Sequence, residues 1–408
     1  MSECRHCHTK LNVTFVDLGV APPSNSYLSK TDILNSELYY PLRVLVCEHC
    51  WLVQTHDFVS ADKMFEDEYA YFSSTSTSWL MHAEHYSEMI VNRLNLNKNS
   101  FVIELASNDG YLLKNFINKK IPCLGIEPSL GTANAAKKLG IDVISEFFTE
   151  KLSNEILSSH RKANLIIGNN VFAHVPDIND FTRGMKNILA PDGTITLEFP
   201  HLLNLLKYNQ FDTIYHEHFS YLSLTSTISI FREFGLKVFD VEQIETHGGS
   251  LRVYGCHYED SRNIKKTVSD CLSTEEEFGL TKINTYISFQ SKINQIKNNF
   301  LGFLVDSAAS GKKVAAYGAA AKGNTLLNFS GIKTDLIDFV SDASEAKQGK
   351  YLPGSHIPIY SPSILNDAVL DYLVILPWNL SEEISSQLGF LKNKGVKFVT
   401  AIPNLRIF

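Results

Sequence analysis

The sequence lacks a long hydrophobic run, and no apolar stretch approaches the roughly 18 residues of a membrane-spanning helix. It also lacks an excess of positive charge, because 44 aspartates and glutamates outnumber 37 lysines and arginines, for a formal charge of −7. Nucleic acid is therefore not expected as a partner. The amino terminus, MSECRHCHTK, holds no apolar signal core. These absences predict a cytoplasmic globular enzyme, and 408 residues leave room for two or three domains.

The first clear α/β unit lacks the glycine motifs of dinucleotide-binding and phosphate-binding turns. A strand-like run, FVIEL, is followed by the turn ASNDG (106–110), a helical pattern and a second strand that ends in Glu127. The turn has neither G-x-G-x-x-G nor Gly-Lys-Ser, and its acid, Asp109, suits a pyrophosphate poorly. Ligands bind at the carboxyl ends of parallel strands. We therefore predict the cationic, ribose-bearing S-adenosylmethionine, with Glu127 on its ribose hydroxyls. The alternative is a plain α/β unit with a polar turn.

The pattern continues into a larger sheet. Apolar runs at 164–170 and 194–200 predict further parallel strands, and those at 236–244 and 250–258 predict a final antiparallel pair. Such a sheet is typical of class I methyltransferases. The aromatic pair Phe147 and Phe148 is predicted to flank an adenine. The candidate cofactor residues follow the strand ends: Glu104, Ala106, Asn108, Asp109, Gly110, Leu112, Glu127, Pro128, Phe147, Asn169 and Asn170.

Four of the seven cysteines form two C-x-x-C knuckles, CRHC and CEHC. Two knuckles place four thiolates within reach of one tetrahedral zinc ion, so Cys4, Cys7, Cys47 and Cys50 are the predicted ligands. A redox C-x-x-C normally occurs once, and disulfides are not expected in a cytosolic chain. Because the thiolates fill the site, the neighbouring His6, His8 and His49 are expected to be solvated.

The segment FDTIYHEHFSYLS (211–223) is chemically the densest part of the chain. It follows the carboxyl side of a predicted strand, and its H-E-H spacing differs from the H-E-x-x-H of zinc proteases. A histidine beside a phenol suits general acid and base catalysis near neutral pH. The alternative is a set of structural histidines in a polar loop.

A second nucleotide-type unit begins at KKVAAYG (312–318), so the chain is predicted to carry a degenerate duplication of the doubly wound fold. Lys322, in the turn before a helix, is a candidate anion site for a dinucleotide or a nucleoside diphosphate. The spacing of Gly318 and Gly323 departs from the dinucleotide fingerprint, which disfavours NAD. The predicted domains are a zinc domain at 1–65, a central domain at 66–262, and a helical connection with a Rossmann-like domain at 263–408.

Taken together, these motifs resemble those of one enzyme family. The paired knuckles, YAYFSS, ELASNDGYLL, NNVFAHVPD, FDTIYHEHFSYLS and YGAAAKGNTLLN are similar to segments of the sugar C-methyltransferases of nucleotide-linked deoxysugar pathways. The resemblance covers nearly the whole chain. It implies an α/β protein with an N-terminal zinc-ribbon-like domain, a class I S-adenosylmethionine domain and a C-terminal Rossmann-like domain. Its implied substrate is a dTDP- or GDP-linked 4-keto-6-deoxy sugar, methylated at C-3.

The resemblance also implies roles for individual residues. His218 is the implied base, and Tyr215 is the alternative base or a donor to the enolate oxygen. Glu217 orients the sugar or the histidine, and His174 supplies a further donor. The remaining implied residues are the tyrosines beside the sulfonium, Tyr69 or Tyr71, and the substrate-binding Glu198, Tyr221, Gly318, Lys322 and Asn324.

Three other functions stay open on the sequence. They are an NAD-dependent sugar oxidoreductase, a non-catalytic zinc-ribbon adaptor, and a methyltransferase that acts on oxygen or nitrogen. A monomer or a weak homo-oligomer is expected, with neither a membrane nor nucleic acid as partner.

Overall fold

A computed structural model describes residues 2–56, 72–75 and 77–408 of the chain. Tyr69 and Tyr71, which were predicted near the sulfonium, lie outside the described residues. The described residues form three β-sheets, of four, seven and six strands. Within these ranges no helix combines the length and the hydropathy that crossing a membrane requires.

The amino-terminal sheet has the strand order β1-β2-β3-β9 and is antiparallel at each of its three pairings. Its strands are β1 (Val13–Ala21), β2 (Tyr40–Val46), β3 (Val53–Thr55) and β9 (Ser220–Tyr221). The last of these comes from the histidine-rich segment, more than 160 residues after β3. The zinc domain is therefore completed by a strand that begins two residues after His218.

The central sheet has the order β10-β11-β8-β7-β4-β5-β6. Its parallel strands are β4 (Val102–Leu105), β5 (Cys123–Ile126), β6 (Asp142–Ile144), β7 (Ala163–Asn169) and β8 (Leu189–Pro200). The antiparallel strands β10 (Leu236–Ile244) and β11 (Ser250–His257) close one edge. This confirms the predicted class I methyltransferase sheet. Its middle strands are apolar because both faces are covered by helices.

Seven helices accompany this sheet in the described part of the chain: α1 (Thr77–Leu94), α2 (Leu113–Asn118), α3 (Leu130–Lys138), α4 (Glu150–Ser159), α5 (Ile178–Ile188), α6 (Leu202–Lys207) and α7 (Leu224–Glu233). Local sequence fixes several of their starts. Thr149 caps α4, Asp177 caps α5, and Ser223 caps α7 by accepting a backbone N–H in the first turn. The buried side chains of α5 and α7 pack on one face of the sheet, and those of α1 pack on the other.

The carboxyl-terminal sheet has the order β14-β13-β12-β15-β16-β17. Its strands are β12 (Val314–Tyr317), β13 (Val340–Ser341), β14 (Ile359–Tyr360), β15 (Tyr372–Ile375), β16 (Lys397–Thr400) and β17 (Arg406–Ile407). All pairs are parallel except the last. The chain builds outward from β12 in both directions, so the switch point lies between β12 and β15, as in the Rossmann-like fold that was predicted.

The helices before and within this region are α8 (Lys266–Phe278), α9 (Ile283–Ile287), α10 (Phe289–Ala309), α11 (Ala321–Ser330), α12 (Ser381–Gln387) and α13 (Gly389–Asn393). The long helix α10 buries Phe289, Ile293 and Phe300 in a core shared with the amino-terminal sheet. Phe289 stacks on Phe15 of β1 with ring centroids 4.9 Å apart. The connection thus packs the first and last sheets together.

Two sequence expectations are wrong. His6 is not a solvated neighbour of the knuckle: it is 6% exposed, and its Nδ1 lies 2.9 Å from Oδ1 of Asn179 on α5. Phe148, which was predicted to flank an adenine, is instead packed in the core with its ring against Phe181. In both cases the sequence shows the side chain but not the distant helix that covers it.

Candidate active site and zinc centre

The four knuckle cysteines converge on one point. Their sulfur atoms all lie within 4.8 Å of one another. Cys4 and Cys50 are 3.5 Å apart, as are Cys7 and Cys47. Four thiolates at this spacing are the donor set of a closed tetrahedral zinc site. The residues present therefore fit the metal that the spacing predicted, and they leave no position for a substrate.

The turn after β4 has an unusual backbone. Ala106, Asn108 and Gly110 have positive φ angles of 56°, 50° and 78°. Of these three positions, Gly110 is the one with no room for a side chain, because a Cβ there would lie 2.3 Å from Cδ1 of Ile141. Residues with a side chain visit this region only when the surroundings enforce it. This strained turn lies at the carboxyl end of a parallel strand, where ligands bind in open α/β sheets.

Glu127, at the end of β5, holds this turn in place. Its Oε2 accepts the backbone N–H of Asn108 at 2.9 Å, and its Oε1 accepts that of Ser129 at 2.9 Å. A short segment before α1 covers the turn from the other side. The N–H of Ser73 donates to Oδ1 of Asn108, and that of Ser74 donates to Oδ2 of Asp109. The predicted cofactor residues are thus fixed from two directions.

Several buried polar atoms around this turn have no hydrogen-bond partner among the described residues. They are Oε2 of Glu104, Oγ of Ser107, Oδ1 of Asp109, Oγ of Ser129 and both side-chain polar atoms of Asn169. Unsatisfied buried polar groups are rare in proteins, and each costs free energy. Their concentration at the ends of β4, β5 and β7 indicates that a polar ligand completes them.

The charges at this edge favour a cation. Burial, together with the carboxylates of Glu127 and Asp109, raises the pKa of Glu104 well above its ordinary value. Burial also raises the pKa of Glu127. A positive charge among these acids would relieve their repulsion. Of the other predicted cofactor residues, Leu112 is buried in the core, Pro128 follows Glu127 directly, and Phe147 is exposed. Asn170 has a φ of 55° and donates its N–H to the carbonyl of Glu198.

His218 lies in a group of aromatic rings beyond β8. Its Nδ1 donates to the carbonyl of Thr213 at 2.8 Å, which leaves the lone pair on Nε2. Its ring centroid lies 4.0 Å from that of Tyr215, 4.6 Å from that of His174 and 6.0 Å from that of Tyr221. Three of the predicted catalytic residues, His218, Tyr215 and His174, are thus brought together, and the bond to Thr213 orients His218.

Glu217 contacts the amino-terminal domain. Its Oε1 accepts Nδ2 of Asn25 at 2.6 Å, and the side chain is 3% exposed. The same turn, residues 24–27, also contacts the carboxyl-terminal sheet. The hydroxyl of Tyr27 donates to the carbonyl of Ala319 at 2.6 Å, and Nδ2 of Asn324 donates to the carbonyl of Ser24 at 2.6 Å. The turn that bonds Glu217 therefore also contacts the carboxyl-terminal domain.

The carboxyl-terminal domain also contacts the histidine-rich segment, at Asp212 and Ile214. Nε1 of Trp378 donates to Oδ2 of Asp212 at 2.7 Å, and Thr325 donates to the carbonyl of Ile214 at 2.8 Å. Lys322 lies 5.1 Å from the Trp378 ring and bonds Oδ1 of Asn379 at 3.0 Å. Gly318 has a φ of 91°, and a Cβ there would meet Pro377 at 2.5 Å. The predicted substrate residues of this domain thus border the histidine loop.

Comparison with known proteins identifies the family. Three family models match: "Putative zinc binding domain" over residues 4–65, "Methyltransferase domain" over 79–241 and "C-methyltransferase C-terminal domain" over 245–403. A curated relative from Streptomyces niveus, the C-methyltransferase NovU, is 36% identical over 408 residues, which is the whole of this chain and 97% of that protein. The chain belongs to this C-methyltransferase family.

Solved structures superpose on part of this C-methyltransferase. Magnesium protoporphyrin IX methyltransferase from Synechocystis, with bound SAH, matches at 13% identity and a TM-score of 0.35 over 44% of this chain and 83% of that one. A methyltransferase in complex with its Trm112 activator from Haloferax volcanii matches at 15% identity and a TM-score of 0.36 over 45% and 94%. The assignment rests on the family models and the full-length relative, not on these partial matches.

Two cofactors follow from the family and from the geometry. The C-methyltransferase uses S-adenosylmethionine, whose sulfonium and ammonium groups suit the acidic, unsatisfied edge of the central sheet. Zinc is bound by the four cysteines. The NAD-dependent oxidoreductase that the sequence left open is thereby disfavoured.

The structure revises the role of Glu198 in the C-methyltransferase. It was predicted to bind substrate, but it is fully buried and its oxygens accept bonds from His82 at 2.9 Å, Arg252 at 3.0 Å and Thr246 at 3.0 Å. Burial opposes ionisation, yet these partners outweigh it and hold the pKa of Glu198 below its ordinary value. Glu198 therefore ties α1 and β11 to β8. Tyr221 is also buried, in β9, where it packs on His218.

Sequence reasoning missed several site residues. Asn25 and Tyr27 lie in a stretch that reads only as a turn, and Trp378 lies between a strand and a short helix. Asp212 was inside the quoted segment but was given no role. Ser107 was part of the quoted turn, and its small hydroxyl gave no separate signal. The roles of Asn25, Tyr27, Trp378 and Asp212 become visible only through partners that are distant in the sequence.

Proposed function

We propose that this C-methyltransferase methylates C-3 of a nucleotide-linked 4-keto-6-deoxy sugar, by removal of the C-3 proton, formation of an enediolate and methyl transfer to carbon. The observation that carries the proposal is the oriented His218, whose Nδ1–H is held by the Thr213 carbonyl at 2.8 Å. Methylation at carbon requires a base, because the C–H bond must first be broken. A ketone at C-4 makes the C-3 proton acidic enough for an imidazole to remove.

In this proposal His218 takes the C-3 proton on Nε2. The Thr213 carbonyl keeps Nδ1 protonated, so the same tautomer is presented at every turnover. The imidazolium that forms is stabilised by that carbonyl. Tyr215, whose ring lies against His218, is the second candidate for the base or the donor to the enolate oxygen. A bound sugar would have to lie against both groups.

His174 is proposed as a neutral neighbour of the base rather than as a donor to the enolate, because its one ring N–H already bonds the backbone of Glu217. Burial lowers its pKa to about 4, so it carries no charge near neutral pH. Its ring hydrogen-bonds the backbone of Glu217 and lies edge-on to His218. A neutral imidazole neighbour does not lower the basicity of His218, as a second cation would. Glu217, fixed by Asn25, is proposed to accept a sugar hydroxyl.

Bound S-adenosylmethionine supplies the methyl group as an electrophile. The chain would hold it through the turn 106–110 and the acids at the strand ends, with Glu127 proposed on the ribose and Asn169 and Ser107 among the remaining polar contacts. Attack in line on the methyl carbon demands close positioning. The covering contacts from Ser73 and Ser74 suit that demand, because they restrict the turn.

The nucleotide is proposed to lie toward the carboxyl-terminal domain. Lys322 provides a positive charge beside the Trp378 ring, and burial lowers its pKa, although Asp212 opposes that effect. A cation and an aromatic plane suit a diphosphate and a base, respectively. The division into domains at residues 65 and 262 also remains part of the proposal.

The test is product analysis with a panel of dTDP- and GDP-linked sugars, with and without the 4-keto group, in the presence of S-adenosylmethionine. We expect a mass gain of one methyl group only with 4-keto sugars, and loss of the C-3 proton signal in the product. A methyl ether or an N-methyl product would instead establish the oxygen- or nitrogen-methylating alternative.

A further inference from the structure

The first zinc knuckle, Cys-Arg-His-Cys, sends one long side chain into the central domain. Nη1 of Arg5 donates to the carbonyl of Pro176 at 2.6 Å, and its Nη2 donates to the carbonyl of Thr55 at 3.2 Å. Its guanidinium carbon also lies 5.3 Å from the centre of the Phe219 ring. Two of these contacts use different terminal nitrogens of the guanidinium group, and the third is with an aromatic ring.

Two of these contacts fall beside the proposed catalytic histidines. Pro176 lies two residues after His174, in the segment that leads from the turn Phe172–His174 into α5. Phe219 directly follows His218. The rings of His174 and His218 lie edge to face, with centroids 4.6 Å apart. Arg5 therefore connects the two chain segments whose relative position sets this ring contact.

The contact between Arg5 and Thr55 leads through further hydrogen bonds to the backbone of His218. Thr55 accepts from Arg5, its own N–H donates to the carbonyl of Phe219 at 3.1 Å, and its hydroxyl donates to the carbonyl of His218 at 3.3 Å. The strand pairing of β3 with β9 continues this ladder. The backbone of His218 is thus tied to the zinc domain by a short, direct route that begins one residue from a zinc ligand.

We propose that Arg5 is a positioning residue for the proton-transfer site: it couples the zinc knuckle to the segments of His174 and His218 and fixes the distance between their rings. The proposal rests on the proposed function for the catalytic role of these histidines, but its structural part does not. It assigns the zinc centre a role in the geometry of the reaction in addition to its role in folding. A displacement of about 1 Å can cost roughly a hundredfold in rate, so such coupling has a measurable effect.

The chain offers two matched controls. Arg43 lies on β2 of the same sheet, and its side chain bonds Thr14 on β1, away from both histidine segments. Asn179 anchors the same knuckle through His6, at 2.9 Å, and both polar atoms of its side chain bond His6. Arg43→Ala removes a comparable charge, and Asn179→Ala loosens the docking of the knuckle without removing the Arg5 contacts.

The first measurement does not depend on turnover. Protein labelled with carbon-13 at the histidine Cε1 positions is examined by NMR, with signals assigned through His174→Gln and His218→Asn. In Arg5→Ala we expect the Cε1 signals of both histidines to shift and broaden, while zinc content stays at the wild-type level. Arg43→Ala should leave both signals in place. Unchanged His174 and His218 signals in Arg5→Ala, or a loss of zinc from that variant, would overturn the proposal.

The second measurement is kinetic. We expect Arg5→Ala to lose roughly 10- to 100-fold in kcat, with a change of less than about 3-fold in S-adenosylmethionine affinity. Because Arg5 is partly exposed, millimolar guanidinium chloride should restore part of the lost rate. Arg5→Lys should fall in between, since an ammonium cannot reproduce the forked contact. Asn179→Ala should show no rescue by guanidinium. A wild-type rate in Arg5→Ala, or equal rescue of both variants, would contradict the coupling.

The two proposals fail in different ways. If the wild-type protein transfers no methyl group to any 4-keto sugar and exchanges no C-3 proton, the proposed function is wrong. The histidine signals of Arg5→Ala then still decide whether the knuckle positions these rings.

Discussion

Glu127 provides the sharpest test of the cofactor site, because its partners are known on both oxygens. It accepts the N–H groups of Asn108 and Ser129, each at 2.9 Å, in a site where the carboxyl is 5% exposed. In Glu127→Gln one of these N–H groups must face an amide NH₂, and in Glu127→Ala both lose their acceptor. A buried donor left unsatisfied costs roughly 1–3 kcal/mol.

Part of that free-energy cost is expected to weaken cofactor binding, because the N–H of Asn108 belongs to the turn 106–110 that would contact the cofactor. S-adenosylmethionine should therefore bind roughly 5- to 150-fold more weakly to both variants, the equivalent of about 1–3 kcal/mol. Titration calorimetry on the folded proteins measures this, with Glu155→Gln on the exposed face of α4 as the control. Wild-type affinity in Glu127→Ala, with an unchanged melting temperature, would refute the reasoning.

Three further predictions concern metal, pH and backbone. The protein should hold about one zinc ion per chain by elemental analysis, Cys4→Ser should lose it, and Cys123→Ser, outside the cluster, should keep it. Burial raises the pKa of Asp212 from 3.8 to about 6, so the stability it contributes when protonated is present below about pH 4 and lost as the pH rises through 6. Between pH 4 and 7 the wild type should therefore lose roughly 3 kcal/mol relative to Asp212→Asn in denaturant unfolding, and parallel pH profiles would contradict this. Gly110→Ala should lower stability by more than Gly140→Ala. A Cβ at Gly110 would lie 2.3 Å from a side chain, whereas Gly140, with a similar φ, has open space around it. Equal midpoints of denaturant unfolding for the two variants would contradict the clash.

Local patterns were sufficient to predict the central fold. The strands around 101–127, the antiparallel closing pair and the second α/β unit each have their own apolar periodicity, and the structure confirms them. The zinc ligands were likewise predictable, because two C-x-x-C knuckles restrict four thiolates to one site. These features depend on residues that are close in sequence, or on ligand chemistry that tolerates few arrangements.

Contacts between distant segments were not predictable in the same way. The pairing of β9 with β3 involves two residues of the histidine segment, too few to carry a strand pattern. Glu198 looked like a free acid at a strand end, but His82 and Arg252 lie more than 50 residues away along the chain. No sequence pattern connects Arg5 with Pro176, 171 residues later. The roles of the individual site residues remain predictions.

The most direct test of the central claim is exchange of the C-3 proton with deuterated water, observed by NMR on a 4-keto nucleotide sugar. Proton removal can be followed there separately from methyl transfer. We expect the wild-type protein to exchange the proton and His218→Asn to be slower by roughly a hundredfold or more, with little change in cofactor affinity. Exchange that survives in His218→Asn but disappears in Tyr215→Phe would make the tyrosine the base. Wild-type exchange and methylation in both variants would contradict a catalytic role for this cluster.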